Sequence, residues 1–125
     1  MSISVLVIDD SKSSRKLNLA YVQDLLPADT CCFEAAGGAE GLAILQAETI
    51  DLVLLDLTMP NMSGYEVLAE MGRLNLTPRV IVISADVQRR TRERVTALGA
   101  AGFLEKPLQR DALQALLSEM GAMHD

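Results

Sequence analysis

The chain has little aromatic surface: no Trp, two Phe and two Tyr among 125 residues. Its core must be built from Leu, Val, Ile, Ala and Met, which suits a sheet held between helices. Cysteine is nearly absent, and Cys31 and Cys32 are adjacent. In a strand they would face opposite sides, so the pair reads as two structural thiols, not a metal or redox site. The single histidine, His124, stands next to the last residue and reads as part of a frayed tail. Basic residues number 11 against 17 acidic ones, a net charge of -6, which argues against general nucleic-acid binding. No apolar run is long enough to cross a bilayer, and the opening one meets Asp9 too soon for a signal peptide. These absences imply a soluble, cytoplasmic protein with no membrane insertion.

What remains is a patterned chain. Four short apolar runs each end on a residue able to handle phosphate or metal: Val5–Ile8 before Asp9-Asp10, Leu52–Leu55 before Asp56, Val80–Ile83 before Ser84, and Gly102–Glu105 before Lys106. Runs of this length and β-branched content read as buried parallel strands. Between them lie helical segments. Ser11 is placed to cap the first, with Leu17, Ala20, Val22, Leu25 and Leu26 on its inner side and Pro27 as its stop. Thr30–Ala35 reads as an edge-proximal strand, and Gly37-Gly38 turns into a helix bearing Leu42, Ile44 and Leu45. Tyr65–Arg73, Val87–Leu98 and a segment with Ala112, Leu113, Leu116 and Leu117 read as three further helices, Gly99 closing the second. Five strands alternating with five helices imply an α/β (βα)5 three-layer sandwich with a parallel sheet. With no repeat, low-complexity tract or linker, residues 1–125 read as one domain.

In an open parallel sheet the carboxyl ends of the strands share one edge, and sites form there. Asp9, Asp10 and Asp56 should therefore meet Ser84 and Lys106. Three nearby carboxylates repel one another, which raises a pKa or demands a cation. Hard oxygen ligands with room for phosphate favour Mg²⁺. Asp56, at the middle strand's tip before a flexible loop, is the best nucleophile, since a carboxylate can attack phosphorus to give an acyl phosphate. Lys106 would pair with a phosphoryl oxygen and Ser84 would donate a hydrogen bond to another. Each residue alone has a bland explanation such as helix capping. Capping explains neither the lysine nor the paired acids.

On Val7-Ile8-Asp9-Asp10-Ser11, Asp56-Leu57-Thr58-Met59-Pro60 with Gly64, Ile83-Ser84-Ala85 and Lys106-Pro107, the chain resembles the receiver domains of two-component response regulators, the CheY-like superfamily. Gly38 with Glu40 and Leu42, and Gly99–Phe103, fit as well, so the likeness runs through the whole chain. It implies a flavodoxin/CheY-like fold and a phosphoacceptor that assists its own phosphoryl transfer and loss, not a turnover enzyme. Asp56 would take a phosphoryl group from a histidine kinase or phosphotransfer protein. Mg²⁺ would be held by Asp10, Asp56 and the Thr58 carbonyl, with Asp9 acting through water. A cis peptide at Lys106-Pro107 is implied too.

The resemblance further implies a switch, in which Ser84 is drawn toward the phosphoryl oxygens and Phe103 turns inward. Phe103 has no hydroxyl to bond outward, so its outward state should be less favoured than a tyrosine's. Arg89, Arg90, Arg92 and Arg94 form a basic cluster on the fourth helix, which reads as a solvated face or as a docking surface for an acidic partner. The downstream target is open, as is the choice between monomer and weak activation-dependent dimer. Thr58 and Asp86 occupy the two positions that tune phosphoryl lifetime in the family. Four rivals stand beside this reading. A haloacid-dehalogenase-like phosphohydrolase would need an aspartate where Thr58 stands, and a flavodoxin-like cofactor binder would face an acidic rim. A phosphorylation-independent pseudo-receiver scaffold would not need the intact acidic and basic set, whereas a phosphate sink would use it without switching a face.

Overall fold

The computed structural model describes residues 2–121; His124 lies outside the described residues. The chain alternates strictly: β1 Ser4–Ile8, α1 Lys12–Leu25, β2 Cys31–Ala35, α2 Gly38–Ala47, β3 Leu52–Asp56, α3 Gly64–Arg73, β4 Arg79–Ser84, α4 Arg89–Ala97, β5 Gly102–Glu105 and α5 Arg110–Glu119. The strands form one parallel sheet in the order β2-β1-β3-β4-β5.

Alternation along each strand divides the core into two layers. Leu6, Ile8, Val53, Leu55, Val80 and Val82 pack with Leu42 and Leu45 of α2, Val67, Leu68 and Met71 of α3, and Val95 of α4. Val5, Val7, Leu52, Leu54, Ile81 and Ile83 pack with Val22 and Leu25 of α1 and Leu113 and Leu117 of α5. The expected three-layer sandwich is what forms. Strand β1 has β2 on one side and β3 on the other. The chain therefore changes winding direction between the carboxyl ends of β1 and β3, the crevice where ligands bind in such sheets.

Three sequence expectations need correction. Leu17 and Ala20 were expected on the inner side of α1, yet both are exposed, Leu17 by 39%. The inner face instead carries Asn18, Val22 and Leu25, because the stripe follows i, i+4, i+7 through a polar residue. The fourth helix starts at Arg89, not Val87, with Gln88 extended as its N-cap. Strand β5 is not fully buried: its residues are half-buried or exposed, since it forms the sheet edge. Cys31 is exposed and Cys32 half-buried, both unbridged, and no helix among the described residues is long and apolar enough to cross a membrane.

Candidate functional site

The site is assembled by strand ends and the turns that follow them. Asp9 follows β1 directly, and its backbone N–H donates to the Ala35 carbonyl of β2 at 3.1 Å. Its Oδ1 accepts from Ser11 N–H at 2.9 Å, while Ser11 Oγ caps α1 by accepting from Ser14 N–H. The short Asp9-Asp10-Ser11 turn is thus tied at both ends. Asp56 is the last residue of β3 and only 5% exposed. Its loop returns at once to α3, where Gly64 N–H donates to the Leu57 carbonyl at 2.9 Å. A Cβ on Gly64 would stand 2.6 Å from the Asp56 carbonyl oxygen, so only glycine lets the helix start this close. Ser63 and Glu66 close a reciprocal capping box there.

Carboxylate oxygens of Asp9, Asp10 and Asp56 lie within 4.8 Å of one another, the one such acidic group among the described residues. Asp9 and Asp56 are buried and Asp10 is exposed. Lys106 arrives from the end of β5, positioned by its own N–H donating to the Ser84 carbonyl at 2.9 Å. Its Nζ lies 3.1 Å from Asp9 Oδ2 and 3.4 Å from Asp56 Oδ2. The Lys106-Pro107 peptide is cis.

Burial pushes the Asp56 carboxyl up to about 6, and the Asp9 charge adds to it; Lys106 and the Thr58 N–H pull the other way without restoring the ordinary value. For Lys106, burial opposes the ammonium, but the Asp56 charge, the hydrogen bond to Asp9 and the Asp9 charge hold it above its usual range. The result is a poised pair: an aspartate whose charge is costly and a lysine that keeps its own. An all-oxygen donor set of this kind fits a hard divalent cation such as Mg²⁺, which would also relieve the repulsion between the acids.

Ser84 is buried at the end of β4, beside β3, and its Oγ accepts from the Asp86 N–H at 3.0 Å. Thr58 is exposed, and its N–H donates to Asp56 Oδ1 at a long 3.4 Å. Phe103 is half-buried against the α2–α3–α4 layer, with the Arg92 guanidinium 4.6 Å from its ring centroid. The arginine cluster is exposed but not unpaired. Arg94 stacks 3.8 Å from the Tyr65 ring, Arg89 pairs with Glu93 at 2.9 Å, and Arg90 donates to the Gln88 side chain at 3.2 Å.

Two features escaped the sequence reading. Arg15 reaches back to the Asp9 carbonyl; a basic residue in a polar helical turn gave no signal. Asp86 braces the start of α4, its Oδ1 accepting from Gln88 N–H and its Oδ2 from Thr91 Oγ1; an acid just ahead of a basic first turn was the available cue.

Comparison with known proteins identifies the family and the fold. The family model described as "Response regulator receiver domain" matches residues 5–118. The chain is 41% identical over 113 residues to protein-glutamate methylesterase/protein-glutamine glutaminase 2 of Koribacter versatilis, covering 89% of this chain and 31% of that protein. It is 35% identical over 116 residues to the nitrate/nitrite response regulator protein NarL of Escherichia coli, covering 90% and 52%. The chain thus spans at most about half the length of these relatives. In fold it is similar to the Vibrio cholerae chemotaxis protein CheY4, with TM-score 0.85 and 27% identity over 95% of this chain and 98% of that one. With the strand order, the acidic triad and the lysine in place, the chain belongs to the response regulator receiver domain family.

Proposed function

We propose that this domain accepts a phosphoryl group on Asp56 and passes the event on as a change in the face formed by α4, β5 and α5. The observation that carries the reading is the buried Asp56 carboxylate beside Asp9 and Asp10, with Lys106 bridging Asp9 and Asp56. An Asp56 oxygen attacks the phosphorus of a phosphohistidine on a histidine kinase or phosphotransfer protein. The O–P bond forms, the P–N bond breaks, and the imidazole leaves. Lys106 exchanges its carboxylate partner for a phosphoryl oxygen, and Ser84 Oγ donates to a second. Mg²⁺ bound by Asp10, Asp56 and the Thr58 carbonyl, with Asp9 through water, would supply charge neutralisation at the phosphoryl oxygens. Attack by water at phosphorus returns the Asp56 carboxylate and inorganic phosphate, so the domain is a switch and not a turnover enzyme. Its place is the cytoplasm, with the kinase.

Phosphorylation adds roughly 1.5 to 2 negative charges at the site. Moving Ser84 toward them breaks its bond from Asp86 N–H, and Asp86 holds the start of α4. The same movement leaves space for Phe103, which is half-buried with the Arg92 guanidinium over its ring. A protein partner with acidic side chains fits the α4 arginines. Incubation with a small phosphodonor such as phosphoramidate and Mg²⁺ tests the reading. Intact-mass spectrometry should show one phosphoryl adduct on the wild type and none on Asp56→Asn; an equal adduct on both would overturn Asp56 as acceptor.

A further inference from the structure

We propose that Arg15 is a positioning residue for the cation site, pinning the peptide that joins Asp9 to Asp10. Its Nη1 donates to the Asp9 carbonyl oxygen at 2.8 Å, and its Nε donates to Glu34 Oε1 of β2 at 3.0 Å. The side chain is only 14% exposed although Glu34 is 52% exposed. An arginine folded inward beneath an acidic cluster, instead of extending into water, has a local reason to be there. The reason is geometric. The Asp9 N–H and Oδ1 are fixed by Ala35 and Ser11, but the Asp9–Asp10 peptide plane is made of the Asp9 carbonyl and the Asp10 N–H, and Arg15 holds it by that carbonyl. That plane sets the direction in which Asp10 leaves the strand. The exposed Asp10 carboxylate lacks a hydrogen-bonding partner among the described residues, and its aim toward Asp9 and Asp56 depends on the backbone beneath it. The Glu34 carboxylate holds the guanidinium in register across β1 and β2, and Arg15 N–H donates to the Ser11 carbonyl at 2.9 Å, closing the same turn from the helix side.

Electrostatics and positioning predict opposite signs. A guanidinium near a cation site repels the cation, so charge alone makes removal of Arg15 tighten Mg²⁺ binding. Loss of a group that orients the ligands weakens it, commonly by tenfold or more. The inference rests on the proposed Mg²⁺ site, and the experiment separates the two. Mg²⁺ alone is titrated by calorimetry into wild type, Arg15→Ala, Arg15→Lys and Arg110→Ala. Arg110→Ala removes a comparable charge from the Asp24 ion pair between α5 and α1, away from Asp9. Wild type should bind Mg²⁺, with affinity reduced about tenfold in Arg15→Ala. Arg15→Lys should be weakened too, because one ammonium cannot reproduce the planar two-point grip. Arg110→Ala should match the wild type. The Asp10 amide resonance should broaden in metal-free Arg15→Ala, a readout independent of the metal. Should Arg15→Ala prove too unstable to titrate, Arg15→Lys decides the matter. Unchanged or tighter Mg²⁺ binding in the Arg15 variants would overturn the role of Arg15. A wild type that takes up no Mg²⁺ would overturn the cation site itself.

Discussion

The Asp86 backbone N–H donates to Ser84 Oγ at 3.0 Å, so the residue at the end of β4 and the residue that braces the start of α4 share one hydrogen bond. Helix α4 needs that brace. Gln88 supplies no side-chain cap bond, and the first turn carries Arg89 and Arg90 with no acid to match the helix dipole. The Asp86 side chain supplies the missing negative charge and ties the N-cap residue to the first turn through Gln88 N–H and Thr91 Oγ1, and those two bonds hold its carboxyl below its ordinary value.

Replacing Asp86 by Ala should therefore loosen α4 specifically. Losing both bonds should let the first turn fray, so amide exchange across Arg89–Ala97 should quicken severalfold if it reports local opening. Asp86→Asn should keep part of the protection. Hydrogen exchange followed by NMR or mass spectrometry measures it, and α4 protection unchanged in Asp86→Ala would contradict this role of Asp86.

The pH dependence of metal-free protein has a defined sign. With Asp56 raised to about 6 in the folded state from 3.8, the folded chain holds more protons than the unfolded chain between those values. The stability tied to this group is therefore present at low pH and is lost as pH rises through about 6. A pKa difference of about two corresponds to about 3 kcal/mol at most. Thermal melts in a chelator should show Asp56→Asn more stable than wild type at pH 7.5, the two converging toward pH 4. Wild type more stable at pH 7.5 would reverse the argument.

Lys106 lowers the cost of the Asp56 charge, so its removal should raise the Asp56 carboxyl above about 6. A ¹³C titration of the Asp56 carboxyl in Lys106→Met reads this directly. Phosphorylation by phosphoramidate should slow in the same variant, since the phosphoryl oxygens lose their cationic partner. A midpoint that stays in place or falls would remove Lys106 from the electrostatics of the site.

Arg92 holds the Phe103 ring from outside at 4.6 Å. An exposed cation–π contact is worth about 0.5–1 kcal/mol, enough to shift a two-state ring by severalfold. Arg92→Ala should move Phe103 inward before any phosphorylation, seen as stronger ring NOEs to buried core methyl groups. Ring contacts identical to wild type would exclude Arg92 from the balance.

The sequence was informative wherever physics acts along the chain. Four apolar runs became β1, β3, β4 and β5, with their acidic, hydroxyl or basic ends on one edge, because a buried parallel strand has to be apolar almost throughout. Where partners come from elsewhere in the fold, the reading lost its grip. Arg15 looks like a solvated helix residue until β2 brings Glu34 beside it, and Leu17 looks like core until the inner stripe passes through Asn18. The arginines of α4 read as a bare basic patch, whereas tertiary packing sets Arg92 on Phe103 and Arg94 on Tyr65.

The central claim, that charge at Asp56 is relayed to the outer face, is tested most directly by amide NMR with Mg²⁺ before and after fluoroberyllate, a mimic of the phosphoryl group. The account predicts shifts that begin around Asp56, pass through Ser84, Asp86 and Phe103, and extend along Arg89–Arg94. A spectrum that does not change on adding fluoroberyllate would contradict it and favour a scaffold that works without phosphorylation.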